Sequence, residues 1–327
     1  MPLSREIHLV RRPNGAPTPA DFALVERSVG DAADGEVLVE NLWISVDPAM
    51  RPRLNAGQPL DEAMMGMALG RVVQSKLAGL SVGDLVTSRL GCREYFTAKA
   101  DAVTRLRPDP ELPLSVYMHA LGMTGFTAYG GLLEIGQLKD GEQVFVSTAG
   151  GAVGSIAAQI ARLKGCRVVG STGSEAKAAW LRDVAGLDAV INYKTQPIGE
   201  ALTAATPQGL DVYFDNVGGD HLDAALTRMN RLGRIPVCGF ISGYNGGGAP
   251  VSNLFNIIYA GVTIRGFTSL DYLPLRPKFE ADMTAWLKAG QIKYQETVRE
   301  GIAATPGALI GMLAGENSGK MLVKLAD

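Results

Sequence analysis

Apolar and polar positions follow two different rhythms along the chain. In the first part, short strand-like runs such as EVLVENLWISV (36–46), LGRVVQS, GDLVTSRL and CREYFTA are separated by turn residues. From about Thr124, runs of continuous apolar residues such as QVFVSTA and CRVVGST alternate with segments of helical spacing such as SIAAQIARLKG and SEAKAAWLRDVAG. The first rhythm predicts a small barrel or sandwich. The second predicts a parallel sheet covered by helices on both faces.

The order of these signals predicts two domains of an α/β protein. The 327 residues suit two domains better than one. Further strands are predicted in DAVINY, GLDVYFDNV, GRIPVCGF and VTIRGFTS, which extend a doubly wound sheet. Ser174 is the predicted N-cap of the second helix of this part, and Gly186 follows its end. The strand in NSGKMLVKLAD is expected to return to the first domain.

Composition and charge narrow the classes of partner. Apolar residues make up 46% of the chain and charged residues 20%, which suits a large buried core. A net charge of -2 argues against nucleic acid or an anionic membrane as the main partner. The cysteines Cys92, Cys166 and Cys238 are widely spaced, with no CxxC pair, which excludes a disulfide framework and fits the cytoplasm. We find no signal peptide and no apolar run of membrane-spanning length, and we expect a cytoplasmic protein.

A glycine-rich turn follows the first strand of the second part. It reads Ala149-Gly150-Gly151-Ala152-Val153-Gly154 and opens a helix, with Gly151 and Gly154 at the spacing of the last two glycines of GxGxxG. Such a turn aims backbone N–H groups at an anion, lets a pyrophosphate approach at Gly151, and lets the helix pack closely at Gly154. A purely structural turn is the alternative.

The end of the next strand bears on the choice of dinucleotide. A site for NAD usually has an acid there, about 20 residues after the turn. Here the chain reads Gly170-Ser171-Thr172-Gly173-Ser174, and Lys177 follows in the first helical turn. Small hydroxyl residues with a lysine suit a 2′-phosphate, whereas a solvated lysine on a helix surface is the alternative.

Signatures of nucleophilic and metal catalysis are missing from the sequence. The chain has no G-x-S-x-G, and His8, His119 and His221 lie far apart rather than at metal-ligand spacing. We interpret these histidines as surface or packing residues. The reactive chemistry is therefore expected to come from a cofactor, with the protein supplying orientation and a proton donor.

Several longer segments carry a family resemblance. They are VDPAMRPRL (46–54), GMTGFTAYGGLLEIG (122–136), the turn and helix of 146–165, GLDVYFDNVGG (209–219), GRIPVCGFISGYN (233–245), NLFNIIYAGVTIRGF (253–267) and ENSGKMLVKL (316–325). Over nearly its whole length the chain resembles the zinc-independent medium-chain dehydrogenase/reductases. More narrowly, it resembles the leukotriene B4 12-hydroxydehydrogenase, prostaglandin reductase and alkenal double-bond reductase group. The Gly-His-Glu zinc signature of the alcohol dehydrogenases is absent, and MMGMALG stands there.

The resemblance implies a fold, a cofactor and a reaction. It implies a GroES-like partial barrel from 1–123 and 295–327 and a Rossmann domain from 124–294. It also implies a homodimer joined through the Rossmann sheets. NADPH would donate a hydride to the β-carbon of an α,β-unsaturated aldehyde or ketone. The implied cofactor-binding residues are Gly151, Ala152, Val153, Gly154, Ser171, Lys177, Tyr193, Asn216, Cys238, Ser242, Tyr244, Phe267, Ser269 and Asn317, with no metal ligands.

Tyr259 matches the tyrosine proposed in this family as the catalytic residue. Hydride addition to an enone forms an enolate, whose oxygen a phenol can stabilise or protonate. An aromatic packing role for Tyr259, with water as the proton source, is the alternative. Many relatives have a second tyrosine in the first motif, where this chain has Ala49. The physiological substrate is therefore not defined by the sequence.

Two further features leave alternatives open. SGYNGGGAP (242–250) is interpreted either as a lid that excludes water during hydride transfer or as a plain flexible connection. The same superfamily scaffold also supports quinone reductases and non-catalytic NADPH-binding proteins. Enone or enal reduction is the leading hypothesis, with those two functions as its alternatives.

Overall fold

A computed structural model describes residues 1–326, and the chain folds into two compact units. The first unit comprises Met1–His119 and the C-terminal part of the chain from Glu296, and the second comprises Ala120–Gln295. The fold class predicted from the sequence is confirmed: one unit is built on a mixed β-sheet, and the other is a Rossmann-like unit of six parallel strands with helices.

The N-terminal elements are mostly strands. They are β1 (Leu3–Leu9), β2 (Phe22–Ser28), β3 (Glu36–Val46), α1 (Met50–Asn55), β4 (Ala68–Ser75), β5 (Leu85–Ser88), β6 (Tyr95–Lys99) and β7 (Val103–Leu106). β1 and β2 form an antiparallel pair. β3 is the long central strand, and it pairs antiparallel with both β4 and β6.

The second unit alternates helices and strands. Its elements are α2 (Met123–Gly130), β8 (Gln143–Val146), α3 (Ala152–Leu163), β9 (Arg167–Thr172), α4 (Glu175–Asp183), β10 (Ala189–Asn192), α5 (Ile198–Ala205), β11 (Leu210–Phe214), α6 (Gly219–Leu226), β12 (Met229–Val237), α7 (Asn256–Ala260), β13 (Thr263–Gly266) and α8 (Arg276–Lys288). The sheet order is β10-β9-β8-β11-β12-β13, and all five pairings are parallel. The strand order reverses between β8 and β11, which is where such sheets bind ligands beyond the carboxyl ends of their strands.

The C-terminal elements return to the first unit. β14 (Glu296–Glu300), α9 (Thr305–Leu313) and β15 (Lys320–Lys324) follow, and β15 pairs antiparallel with β3 and parallel with β14. The predicted return of the last strand is therefore confirmed. Met321, Leu322 and Val323 of β15 are fully buried. Each such side chain stabilises the fold by about 1.5–3 kcal/mol, so this strand is an integral part of the core.

In the described part of the chain, no helix has the length and the hydropathy that crossing a membrane would require.

Candidate functional site

The glycine turn lies where the sequence predicts it, between β8 and α3. Gly151 is the N-cap of α3 in an extended conformation, and no side chain caps the helix there. The Gly151 amide donates to the Thr148 carbonyl at 2.9 Å, and Thr148 has a positive φ of 51°. A Cβ at Gly154 would collide with the Thr148 carbonyl, which explains the glycine. The turn therefore presents the N-terminus of a buried helix, which favours an anion.

Polar side chains lie close against two glycines beside this turn, where a larger residue would clash. A Cβ on Gly150 would lie 2.9 Å from Thr172 Oγ1 and 3.1 Å from Lys177 Cβ. A Cβ on Gly173 would lie 2.7 Å from Tyr193 Oη. The Lys177 side chain thus lies against Gly150 of the glycine turn, and the Tyr193 hydroxyl lies against Gly173. Gly173 follows the carboxyl end of β9, where no acidic residue is present. We call this set, together with Lys194, the β9 cradle.

Ser171 lies behind the β9 cradle. Its side chain is fully buried, and its hydroxyl lies 3.0 Å from His221 Nε2 on α6. The His221 ring meets the Tyr193 ring edge to face at 5.1 Å and stacks on Phe145. Burial lowers the pKa of His221 to about 4, so the imidazole is neutral at physiological pH. In this conformation Ser171 supports the cradle wall through His221.

Asn216 lies where the strand order of the sheet reverses, at the ends of β8 and β11. Its Nδ2 donates to the Ser147 carbonyl at 2.7 Å, and its backbone N–H donates to Ser147 Oγ at 2.9 Å. Asp215 is buried beside it and accepts hydrogen bonds from Tyr213 Oη and from the amides of Val217 and Gly218. Burial raises the pKa of Asp215, and these donors oppose that rise. The network fixes the end of β11 against the end of β8.

Cys238 and the segment after it follow β12 at the same edge of the sheet. The Cys238 amide donates to the Asp215 carbonyl at 2.8 Å, and burial together with the Asp215 charge raises the thiol pKa to about 12. Ser242 Oγ donates to the Val217 carbonyl at 2.6 Å. The Tyr244 hydroxyl lies 3.5 Å from the Phe240 amide. Cys238, Ser242 and Tyr244 are thus placed by the ends of β11 and β12.

The glycine-rich segment after Tyr244 is held at its far end by α6. Asp223 accepts hydrogen bonds from the backbone amides of Ser252 and Asn253 at 2.6 and 2.8 Å. Between these anchors, Gly246, Gly247 and Gly248 all have positive φ and are exposed. The segment is therefore tied at both ends, while its middle relies on conformations that favour glycine.

Phe267, Ser269 and Asn317 are also expected at the cofactor. Phe267 packs on Phe214 edge to face at 6.1 Å, and Ser269 follows it at the start of a 3-10 turn. Asn317 belongs to the first unit, where its Nδ2 donates to the Gly319 carbonyl at 2.7 Å. These positions stay predictions for the cofactor site.

Tyr259, the expected catalytic residue, lies on α7 next to the edge strand β13. Its side chain is 77% exposed, and its ring meets Phe255 edge to face at 5.7 Å. The phenol is therefore accessible and is not part of a packed core.

Comparison with known proteins decides the family. Residues 5–106 match a family model described as the N-terminal domain of oxidoreductase, and residues 152–289 match one described as zinc-binding dehydrogenase. Prostaglandin reductase 1 of Bos taurus is 43% identical, over 95% of this chain and 95% of its own length. The NADP(+)-dependent 2-alkenal reductase of Nicotiana tabacum is 40% identical, over 89% and 88%.

A solved structure agrees with these relatives. CurA from Vibrio vulnificus in complex with NADPH superposes with a TM-score of 0.93 at 38% identity, covering 99% of each chain. The chain belongs to the zinc-independent medium-chain dehydrogenase/reductases. Within that superfamily, it falls in the prostaglandin reductase and alkenal reductase group, as the sequence resemblance implied.

The family model described as zinc-binding raises the question of a metal site. Among residues 1–326, no group of three or more His, Cys, Asp or Glu side chains is arranged to hold a metal ion. The three cysteines are free thiols, with Cys92 and Cys166 buried.

The cofactor implied for this reductase family is NADPH, and the β9 cradle fits it. The position that a Cβ on Gly173 would fill lies between the Tyr193 phenol and Lys194, and the position on Gly150 lies against Lys177. Both are at the strand end where a 2′-phosphate is recognised in such folds. The residues that would hold the dinucleotide are the glycine turn, Lys177 and Tyr193, with Asn216 at the sheet reversal.

Sequence reasoning missed Lys194 and His221 at the β9 cradle of this reductase. Lys194 follows β10, and it reaches the cradle because Asn192 of β10 is in register with Thr172 of β9. That register depends on which strands become neighbours, which a single sequence does not reveal. The only local signal for Lys194 was its position directly after Tyr193, a residue expected at the cofactor.

Proposed function

We propose that this chain is an NADPH-dependent reductase of the carbon–carbon double bond of α,β-unsaturated aldehydes or ketones. The main support is its similarity, at 40–43% identity, to a prostaglandin reductase and a 2-alkenal reductase. The β9 cradle, with a lysine and no acid, supports NADPH rather than NADH. The chain is therefore an NADPH-dependent oxidoreductase, and an enal or enone is its proposed substrate class.

The protein's own residues supply binding and orientation for this chemistry. Bound NADPH supplies the hydride. The glycine turn and the N-terminus of α3 would stabilise the pyrophosphate, and Lys177 and Tyr193 would bind the 2′-phosphate. Asn216, held by Ser147, fixes the backbone at the sheet reversal where the nicotinamide half is expected to lie. These residues would orient the cofactor, and none of them is proposed to carry a proton.

Tyr259 is the proposed proton donor or enolate stabiliser. Reduction of an enal or enone at its β-carbon would place negative charge on the carbonyl oxygen, and a phenol can donate a hydrogen bond to that oxygen or deliver its proton. The exposed phenol on α7 is accessible to such a substrate. Ala49, also exposed, leaves the chain without the second phenol of many relatives, so Tyr259 carries more of this role.

The test is NADPH oxidation, compared with NADH, against a medium-chain 2-alkenal, an aryl enone and a quinone. Removing one oxyanion donor typically costs about 10²–10³ in kcat. We therefore expect a loss of that size for Tyr259→Phe with the enal and enone. Tyr117→Phe removes a phenol of the first unit that accepts a hydrogen bond from the Asp109 amide, and it serves as the matched control.

The other outcomes identify the alternative functions. Turnover of the quinone alone, unaffected by Tyr259→Phe, would indicate a quinone reductase. Tight NADPH binding without turnover of any of the three compounds would indicate a non-catalytic NADPH-binding protein. Either result would contradict the proposed reductase.

We also propose that the chain forms a homodimer in the cytoplasm. β13 is the outer strand of the six-stranded sheet, and all four of its residues are exposed. Exposed strand edges are templates for pairing with another chain. The free thiols support a reducing compartment.

A further inference from the structure

The β9 cradle contains a second lysine that neither the sequence motifs nor the family resemblance assigns. Lys194 Cε lies 3.3 Å from the position that a Cβ on Gly173 would occupy, on the same glycine that Tyr193 Oη approaches to 2.7 Å. Lys177 Cδ lies 3.2 Å from the position that a Cβ on Gly150 would occupy. Both lysines thus lie against the residues at the carboxyl end of β9, close enough for the charge of Lys194 to act on Lys177.

Backbone hydrogen bonds fix Lys194 in this place. The Tyr193 amide donates to the Thr172 carbonyl at 3.1 Å, and the Lys194 amide donates to Asn192 Oδ1 at 3.2 Å. The turn after β10 is therefore tied to the end of β9, and Lys194 faces the cradle through main-chain geometry as well as through its flexible side chain.

The charges of Lys177 and Lys194 indicate that this site accepts an anion. Burial lowers the pKa of the Lys177 ammonium, and the positive charge of Lys194 lowers it further. Two ammonium groups at one site repel each other, and an anion between them removes that repulsion. A phosphate monoester carries about −1.5 to −2 charges at pH 7, which matches two lysines better than one.

We propose that Lys194 is the second cation of a two-lysine clamp for the 2′-phosphate of NADPH. Lys177 is the first cation of this clamp, and the Tyr193 hydroxyl is its neutral donor. This inference rests on the proposed use of NADPH and extends it to a residue that determines cofactor specificity. The Ser171 hydroxyl, expected from the sequence at the phosphate, lies 3.0 Å from His221 Nε2, and the His221 ring contacts the Tyr193 ring.

The test measures binding of 2′,5′-ADP and 5′-AMP by calorimetry, without any turnover. These probes share the adenosine and differ in the 2′-phosphate. We expect Lys194→Met to weaken 2′,5′-ADP binding about 10-fold, with 5′-AMP unchanged, because charge-assisted contacts to phosphate are the strong ones. Lys194→Arg should restore most of the affinity. Lys139→Met, at another exposed lysine of the same unit, is the matched control and should have no effect.

Salt dependence gives a second readout of the same clamp. If both lysines contact the phosphate, the affinity of the wild-type protein for 2′,5′-ADP should fall with added salt, and Lys194→Met should reduce that dependence. Thermal unfolding of each variant checks that the fold is intact, which we expect because Lys194 is exposed.

The failure of this inference is distinct from the failure of the proposed function. If Lys194→Met binds 2′,5′-ADP as tightly as the wild type while Lys177→Met does not, Lys177 acts alone and the two-lysine clamp is wrong. If the wild-type protein binds 2′,5′-ADP no better than 5′-AMP, the preference for NADPH is itself wrong, and the clamp with it.

Discussion

Gly150 is the residue on which the β9 cradle depends most directly. A Cβ there would press on Thr172 Oγ1 at 2.9 Å and on the Lys177 stem at 3.1 Å. We expect Gly150→Ala to displace Lys177 and to weaken NADPH binding about 10-fold, the loss of a charge-assisted contact. Fluorescence titration with NADPH measures this effect.

Gly199 offers a matched control for Gly150. It lies in α5, and a Cβ there meets nothing within 4 Å. Gly199→Ala should leave NADPH affinity unchanged and should stabilise the fold by about 0.5–1 kcal/mol through helix propensity. Equal NADPH affinity in both variants would contradict the cradle as a binding site.

His221 gives the fold a pH dependence that can be measured. Its folded-state pKa is lowered to about 4, from an ordinary 6.5, because it is buried. Between these two values the unfolded chain binds a proton that the folded chain does not. Stability should therefore fall as pH decreases from 6.5 towards 4, by up to about 1.4 kcal/mol per pH unit from this residue.

The measurement is the urea midpoint of wild type and His221→Gln at several pH values. Above pH 6.5 the histidine is neutral in both states, so its titration adds no slope there. Below pH 6.5 the variant should lose stability less steeply than the wild type. Identical slopes over that range would show that His221 is not the titrating group.

At the scale of the elements, most of the second unit follows from the sequence. The helix predicted in SEAKAAWLRDVAG is α4, which begins at Glu175. Its predicted N-cap, Ser174, accepts a hydrogen bond from the Lys177 amide. In the first unit, β3 occupies 36–46 as predicted, because a run rich in apolar and β-branched residues favours a strand. Local periodicity and capping chemistry were sufficient for these elements.

The site was harder to predict from the sequence, because it is formed by residues that only the pairing of neighbouring strands brings together. Ser171 has the hydroxyl expected at a 2′-phosphate, but α6 places His221 against it. Lys194 has no motif of its own, and its position depends on β10 pairing with β9. Contacts between residues tens of positions apart require the tertiary arrangement, which periodicity does not encode.

Ser174 links the stability of α4 to the cradle and allows the two effects to be separated. Ser174→Ala removes the cap and should cost about 1 kcal/mol of unfolding free energy. Ser174→Asp retains a capping oxygen, so stability should stay near that of the wild type. The added negative charge next to the cradle should nevertheless weaken NADPH binding several-fold, because it repels the 2′-phosphate.

Ser174→Asn is the control for that comparison. It caps as well as aspartate does but carries no charge, so both stability and NADPH affinity should be retained. Chemical denaturation and NADPH titration of the three variants measure the two effects. Similar NADPH affinities for the aspartate and asparagine variants would argue against a phosphate site at this helix start.

At the scale of the whole molecule, exposed apolar residues directly precede the edge strand β13 in the chain. Leu254, Phe255, Ile258 and Tyr259 on and before α7 are exposed, Ile258 by 79%. In the described part of the chain, β13 pairs with β12 alone. Large exposed apolar surfaces next to an open strand edge favour association, and a second copy presenting the same edge would cover both.

We therefore expect the wild-type protein to sediment at twice its chain mass of 34.5 kDa at micromolar concentration. Ile258→Asp should shift it to the single-chain mass, because a carboxylate would be buried without a partner in the dimer. Val82→Asp, at a 67% exposed position of the first unit, should leave the dimer intact. A wild-type protein that sediments as a monomer would contradict pairing through β13. If dissociation by Ile258→Asp also lowers enone turnover while NADPH binding is retained, the interface beside Tyr259 contributes to the substrate site.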